Sequence, residues 1–346
     1  MTDWQSLLAD LTSIPGISGH EHGIAAHLGA ALRSYGDDVT IDPVFNLTAR
    51  IGSGERKIAV CAHLDTIGMM VKRIHADDTL GVVRIGGINY KSLPGTAVRI
   101  HTDDGDVAGV VGVRSAHQAR PGDEAIKSDD EIYVETGQAA NAIEITTPIT
   151  YAPYLARLGE SLISAPYLDD RAGCAVLVAL AARLKAAPSP HTVYLVGTVQ
   201  EETNAMGAHA ALAAIQPDAA IFIDGTVSYD TPETRGRGDV RLGAGPVLTA
   251  FLYISGIGSW HAHPLLRQHI RQAAHRAGIA FQQDAVHGLM ADSRAALPLG
   301  IPSAVIGLPM RGKHSAAEIV DTADLDTAVN LLHAVLSQPF PNLSPG

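Results

Sequence analysis

The sequence predicts an α/β fold, a mostly parallel sheet with helices on both faces, interrupted by a small inserted all-β domain. Three observations carry this expectation. Strand-like and helical segments alternate from residue 171 onward; short strand-like runs between Gly, Asp and Pro turns fill residues 68–158; and histidines and carboxylates recur where the strand-like runs end.

Taken in order, helical periodicity opens the chain in WQSLLADL and returns over 21–35. RKIAVCAHLD follows as an apolar, β-branched strand that finishes in polar residues. In 68–158 the runs GVVRIGG, AVRIHTDDGDVAGVVGV, EIYVETG and AIEITTPITYA carry hardly any helical pattern. That stretch reads as an inserted domain, so the α/β domain is expected from two pieces, 1–67 and 159–346, that meet in space. YLDDRAGCAVLVALAARLK then reads as a buried helix, HTVYLVGTVQEE as a strand, GAHAALAAI as a helix and DAAIFIDG as a strand. The strand GPVLTAFLYIS, a helix over 264–277, the strand PSAVIGLP and a helix over 325–336 complete the pattern. Such alternation implies parallel strands whose crossovers cover both faces.

With 346 residues, 46% of them hydrophobic, the chain can bury a large core. A net charge of -11 with only 25 Lys and Arg argues against a nucleic-acid or anionic-membrane surface. A short peptide or small molecule is the expected partner. MTDWQSLLAD has no basic stretch followed by an apolar run, and no apolar run approaches a membrane span, so a cytoplasmic protein is expected. Cys61 and Cys174 lie in apolar runs outside any C-x-x-C pair and read as packing residues rather than a disulfide or a thiolate metal site.

Ligands of open α/β sheets bind at the carboxyl ends of strands. There this sequence places His63 and Asp65, then Glu201 and Glu202, then Asp224; His314 follows PSAVIGLP, and Asp169 and Asp170 open the buried helix. Singly, each has a plain structural explanation: a hydrogen-bonded histidine, a solvated glutamate pair, a turn aspartate, a helix cap in the positive end of the dipole. Jointly they do not, because carboxylates converging on one edge repel without a cation. Nitrogen and oxygen donors without thiolates suit Zn, Co or Mn, and two histidines with three carboxylates suffice for two ions sharing a bridge. Such a pair would activate a water and polarise the bond it attacks. Asp65 is placed to accept the His63 imidazole N–H, and of the paired glutamates one can bind metal while the other takes the water's proton. His261 and His263 in SWHAHPLLRQH have no carboxylate beside them and read as cap, surface or pocket wall. The GISGHEHG glycines follow no strand, which disfavours a phosphate loop.

AHLDTIG, YLDDRAGC, VQEETNAMGA, IDG and RGKHSAAEIVD resemble, in order and spacing, the M42 metallo-aminopeptidases, which include the glutamyl and the tetrahedral (TET) aminopeptidases. The resemblance runs through nearly the whole chain, and IGGINYKSLPGTAVRIHTDDG and DEIYVETGQA correspond to the family's β-rich dimerisation module. It implies a zinc-peptidase-like fold, removal of N-terminal residues from short peptides, two divalent ions per subunit, and a dimer-based homo-oligomer extending to a dodecamer. By position, it implies that His63 and Glu202 or Asp224 hold the separate metals, that His314 completes the second site, that Asp169 bridges, and that Glu201 is the general base. Asp170 then supports the loop or caps the helix, and Asp292 in MADSRAA supports the site where the family has TDAG. Two departures stand out. TNAMGA puts Thr203, Asn204 and Met206 where the family reads close to VGLRGA, and ADSR adds Arg294. Neither removes a ligand, so hydrolysis is expected, with a non-peptide C–N bond in a small amide or amine as the alternative substrate. Glycoside cleavage by paired carboxylates would leave both histidines without a task, and a non-catalytic assembly protein would not need the full ligand set.

Overall fold

The structure, a computed structural model, describes residues 2–115, 117–118, 126, 128–137 and 142–343. Gln138 and Ala139 of DEIYVETGQA lie outside the described residues. The chain begins with α1 (Trp4–Ser13), α2 (His22–Leu32), β1 (Asp38–Ile41), β2 (Leu47–Ile51) and β3 (Lys57–His63). Next come β4 (Gly68–Ile74), β5 (Leu80–Ile85), β6 (Ala97–Thr102), β7 (Gly105–Val111), β8 (Tyr133–Glu135) and β9 (Pro148–Tyr151). β10 (Ala156–Leu158), β11 (Leu162–Ala165), α3 (Leu168–Ala186), β12 (Thr192–Thr198), α4 (Met206–Ile215) and β13 (Ala219–Val227) follow. The last elements are β14 (Val247–Ile254), β15 (Gly258–His261), α5 (Pro264–Ala277), β16 (Gln282–His287), β17 (Ser303–Met310), β18 (Glu318–Asp321) and α6 (Thr322–Leu336).

The main sheet has nine strands in the order β1-β2-β12-β3-β13-β17-β14-β15, with β16 paired to β14. It is mixed rather than mostly parallel. β12, β3, β13 and β17 run parallel in its centre, as does β16 beside β14; the other four pairings are antiparallel. Parallel neighbours need helical crossovers, which bury both faces, so they occupy the middle, whereas hairpins such as β1–β2 and β14–β15 extend the rims. A short, mostly exposed strand such as β1 carries little apolar pattern to announce it.

Successive side chains of a strand point to opposite faces, and the two faces of the sheet meet different helices. Ile58, Val60, Ala62, Ile221, Ile223, Ile306 and Leu308 enter one core with residues of α1, α2, α3, α5 and α6. Ala59, Cys61, Phe222 and Val305 enter another with residues of α4. Each buried Ile or Leu contributes about 1.5–3 kcal/mol, enough in sum to fix strand register before any polar end is placed. Cys61 and Cys174 are both free and buried, on opposite faces of the sheet.

The second unit is a closed barrel, β4-β5-β8-β7-β6-β9, filled by alternate residues such as Met69 and Val71, Leu80 and Val82, Val98 and Ile100. A small sheet, β10-β11-β18, lies outside both barrel and main sheet. Among the described residues no helix is long and apolar enough to cross a membrane.

Candidate metal centre

Four neighbouring parallel strands bring the predicted residues together. His63 ends β3, Glu201 and Glu202 lie in the turn after β12, and His314 lies in the turn after β17. Asp224 sits inside β13, which continues to Val227 instead of stopping at the aspartate. Asp169 arrives from the start of α3, where Asp169 and Asp170 have non-helical backbone angles and the peptide between them is cis. Regular helix begins only after them. Asp170 Oδ1 accepts the Gly173 N–H at 2.9 Å, a helix cap.

The donors face one another at spacings a cation would require. Metal bonds of about 2.0–2.2 Å in a tetrahedral site imply ligand atoms roughly 3.3–3.6 Å apart. His63 Nε2 lies 3.5 Å from Asp169 Oδ1, and His314 Nε2 lies 3.2 Å from Asp169 Oδ2 and 3.3 Å from Glu202 Oε1. His63–Asp169–Asp224 and Asp169–Glu202–His314 form two sets able to hold an ion, with Asp169 common to both; His63, Glu201 and Glu202 form a third grouping. His63 Nε2, both Asp169 carboxylate oxygens and Glu202 Oε1 are buried without a hydrogen-bond partner. Orphaned polar atoms of this kind are costly unless something charged meets them, so the residues fit divalent ions.

Each imidazole is turned so that Nε2 points inward. His63 Nδ1 lies 3.0 Å from the main-chain carbonyl of Asp65, and His314 Nδ1 lies 3.1 Å from that of Gly87. A carbonyl only accepts, so Nδ1 carries the hydrogen and Nε2 is left to bind. The Asp65 carboxylate was expected to orient His63, but its nearer oxygen is 3.6 Å from Nδ1. It accepts instead from the Ser18 hydroxyl at 2.5 Å and from the backbone N–H groups of Glu201 at 2.9 Å and Glu202 at 3.1 Å. Asp65 thereby shapes the glutamate turn, while its carbonyl orients the histidine.

Burial and charge set the protonation of the metal-free centre. Burial opposes an imidazolium, but Asp169 and Asp65 hold His63 protonated well above its ordinary range, and Glu202 with Asp169 pushes His314 up to about 11. Burial, together with Asp224 and Glu202, raises the Glu201 carboxyl well above the usual carboxylate range. Asp169 goes the other way: although burial opposes ionisation, Lys313 and the two histidines hold it well below that range.

Two functional neighbours escaped the sequence reading. Lys313 Nζ sits 3.0 Å from both Asp169 Oδ2 and Asp224 Oδ1, and donates to the Gly225 carbonyl at 2.7 Å. Glu318, at the start of β18, accepts the Asp169 N–H at 2.9 Å and the His314 N–H at 2.7 Å. A lysine beside a histidine reads as a solvated cation; the carboxylate four residues after His314 was the only sequence signal for Glu318. Gly225 matters through its size, since a Cβ there would meet Asp169 Oδ1 at 2.9 Å.

Asp292 lies behind the centre, accepts from the Thr198 hydroxyl, and is pushed up to about 8 by burial. His261 and His263 do not reach the centre. The His261 ring packs on Phe251, 4.8 Å between centroids, and His263 precedes α5 and lines a separate cavity with Pro302 and Phe340.

A cavity of about 480 Å³ opens onto Glu201, Glu202, Lys313 and His314, with Ile254, Leu289, Met290 and Arg294 among its walls. Thr203 and Asn204 line it as well, and Asn204 Oδ1 accepts the Met206 N–H at 2.7 Å, tying the departing turn to the start of α4. The half-buried Arg294 guanidinium has neither an ion pair nor a hydrogen bond among the described residues, so the cavity presents an unspent positive charge.

The model of the M42 glutamyl aminopeptidase family matches residues 46–331. The chain belongs to the M42 family. Lysyl aminopeptidase of Pyrococcus furiosus is 33% identical over 99% of each chain. Among solved structures, aminopeptidase APDkam598 from the archaeon Desulfurococcus kamchatkensis shares 28% identity at a TM-score of 0.91, covering 98% of this chain and 96% of that one. The Pyrococcus horikoshii TET1 peptidase, which can assemble into a tetrahedron or a large octahedral shell, shares 26% identity at a TM-score of 0.86 over 96% of this chain and 99% of its own. M42 peptidases are metal-dependent hydrolases, and this M42 chain carries donor sets to match.

Proposed function

We propose that this chain is a two-metal aminopeptidase that removes N-terminal residues from short peptides. The observation that carries the reading is the pair of donor sets sharing Asp169, at metal-ligand spacing and with inward atoms orphaned. His63 and Asp224 would hold one Zn, Co or Mn ion and Glu202 with His314 the other, Asp169 bridging them. Ions held there supply Lewis acidity to a water and to the scissile carbonyl. Glu201, with its carboxyl raised by burial and by neighbouring carboxylates, accepts the water's proton and returns it to the leaving amine. Asp65 keeps Glu201 and Glu202 side by side by accepting both backbone N–H groups.

The cavity volume suits one or two residues of a peptide. Its unpaired Arg294 supports an anionic group on the substrate, because a guanidinium recognises carboxylates in a fork geometry. The barrel is proposed to serve assembly and access, in an inserted module over 68–158 on an α/β domain formed from 1–67 and 159–346. A dimer-based dodecamer is in keeping with the solved PhTET1-12s structure, which is a dodecamer. Two free buried thiols are in keeping with a reducing, cytoplasmic location.

The test separates the two glutamates. Glu201→Gln keeps shape but cannot accept a proton, so kcat on amino-acid p-nitroanilides should fall on the order of 10²- to 10⁴-fold with metal retained. Glu202→Gln should first lose metal, with partial rescue by excess ion. Loss of metal from Glu201→Gln with both ions kept in Glu202→Gln would reverse the assignment, and full activity in both would remove the constellation from the chemistry.

A further inference from the structure

The two ion-binding sets are not equally open. Asp169 Oδ2 and Glu202 Oε1, which face His314, are buried without a hydrogen-bond partner; Asp224 has one, because Lys313 donates to its Oδ1. The Lys313 side chain is only 9% exposed. It is anchored at three points: Asp224 Oδ1, the Gly225 carbonyl, and an ion pair with Asp169 Oδ2. Its counterions are therefore Asp224, which belongs to the His63–Asp169–Asp224 set alone, and the oxygen of the shared Asp169 that faces His314.

We propose that Lys313 makes the two metal sites unequal, leaving Asp169–Glu202–His314 as the tight site and turning His63–Asp169–Asp224 into a weak one that fills only when the lysine gives way. This rests on the metal-centre reading above. An ion entering the His63 set takes Asp224 from the ammonium and sets a double positive charge beside it, where too little water reaches to compensate. An ion entering the His314 set meets Glu202 Oε1 with no hydrogen bond to break and shares only the ion-paired Asp169 Oδ2 with the ammonium, whose hydrogen bonds to Asp224 and Gly225 stay intact. Asp224 and Gly225, both on β13, hold the ammonium in place without any metal.

The experiment measures ions per subunit rather than turnover. Metal-stripped protein is loaded with Zn²⁺ or Co²⁺, desalted and analysed by elemental mass spectrometry, and the second binding event is followed by calorimetry. The wild type should retain one ion and bind the second weakly. Lys313→Met should retain two. A neighbouring charge is worth about 1–3 pK units, so the second affinity should tighten on the order of 10- to 1,000-fold in that variant. Lys313→Arg keeps the charge and should remain close to the wild type, which controls for a general disturbance of the turn. Two ions retained by a peptide-cleaving wild type, or an unchanged second affinity in Lys313→Met, would overturn the inequality while leaving the two-metal reading intact. No ion retained by any of the three proteins would overturn both.

Discussion

Replacing Glu318 by Gln probes how the centre is held rather than what reacts. Glu318 is 1% exposed, and its two oxygens accept one backbone N–H each, from Asp169 and from His314. Glutamine has the same shape but only one acceptor oxygen; its NH₂ must face the other N–H, leaving that donor unpaired in the interior. An orphaned buried donor costs about 1–3 kcal/mol, and losing charge assistance on the remaining bond costs about 1 kcal/mol more. The total of about 2–4 kcal/mol falls on the backbone of two proposed metal ligands. Expressed wholly in ion affinity, it amounts to a weakening of roughly 30- to 700-fold. At about pH 9, above the value of about 8 to which burial pushes the Glu318 carboxyl and where its charge is therefore present, competition with a chromophoric chelator measures that constant directly, and a urea titration of the metal-free protein measures what part is lost from folding instead. Wild-type ion affinity together with an unchanged urea midpoint would refute the reasoning, since it would mean that Glu318 bears none of the tension between Asp169 and His314.

Chelation should abolish peptide cleavage, and Zn, Co or Mn should restore it; activity in a verified metal-free preparation would contradict the centre. The chelated protein should also melt at a lower temperature at about pH 8.5 than at about pH 6. Burial pushes Glu318 and Asp292 up to about 8, so between about pH 4 and 8 the folded chain holds protons that the unfolded chain has released, and stability falls as pH rises. His314, held up to about 11 by Glu202 and Asp169 against the effect of burial, adds a loss in the same direction above about pH 6.5. A melting temperature that is flat or rising across this range would contradict those shifts. Arg294→Ala should raise KM for substrates with an N-terminal Glu about 10- to 150-fold, the worth of a charged hydrogen bond, and leave Leu substrates nearly unaffected. Equal losses on both would give Arg294 a structural role.

The inward residues of the centre were legible because four neighbouring strands end at one edge, and chemistry-bearing residues at strand ends are conspicuous in sequence. Asp65 was found through its spacing from His63, and the two do form an ion pair at 3.6 Å, but the carboxylate's hydrogen bonds go to Ser18 and to the glutamate turn, which sequence spacing could not show. Lys313 and Glu318 were invisible for a related reason. A lysine's default is solvent, and Glu318 reads as one acidic residue in a short strand; only the pairing of β18 with β11, placing Glu318 opposite Ala165 beside the start of α3, gives it partners. The central strands announced themselves through uninterrupted apolar runs. The rim strands β1, β2, β15 and β16 did not, since strands of only four to six residues are too short to carry a decisive periodic signal.

The carbonyl that accepts from His314 belongs to Gly87, in the connection after β5, and so to the barrel unit rather than to the sheet carrying the other donors. A Cβ on Gly87 would stand 2.8 Å from His314 Nδ1, and one on Gly86 would stand 3.3 Å from Glu202 Oε2. The barrel thus holds one wall around the Asp169–Glu202–His314 donor set, which is not complete without it. Thermodynamic linkage then works in both directions. Any contact that shifts this glycine pair relative to the sheet would change the affinity for an ion at the proposed His314 site, and filling that site would stiffen the seam between the two units by the same free energy. If the barrel serves assembly as proposed, assembly and loading of the metal would be two readings of a single equilibrium.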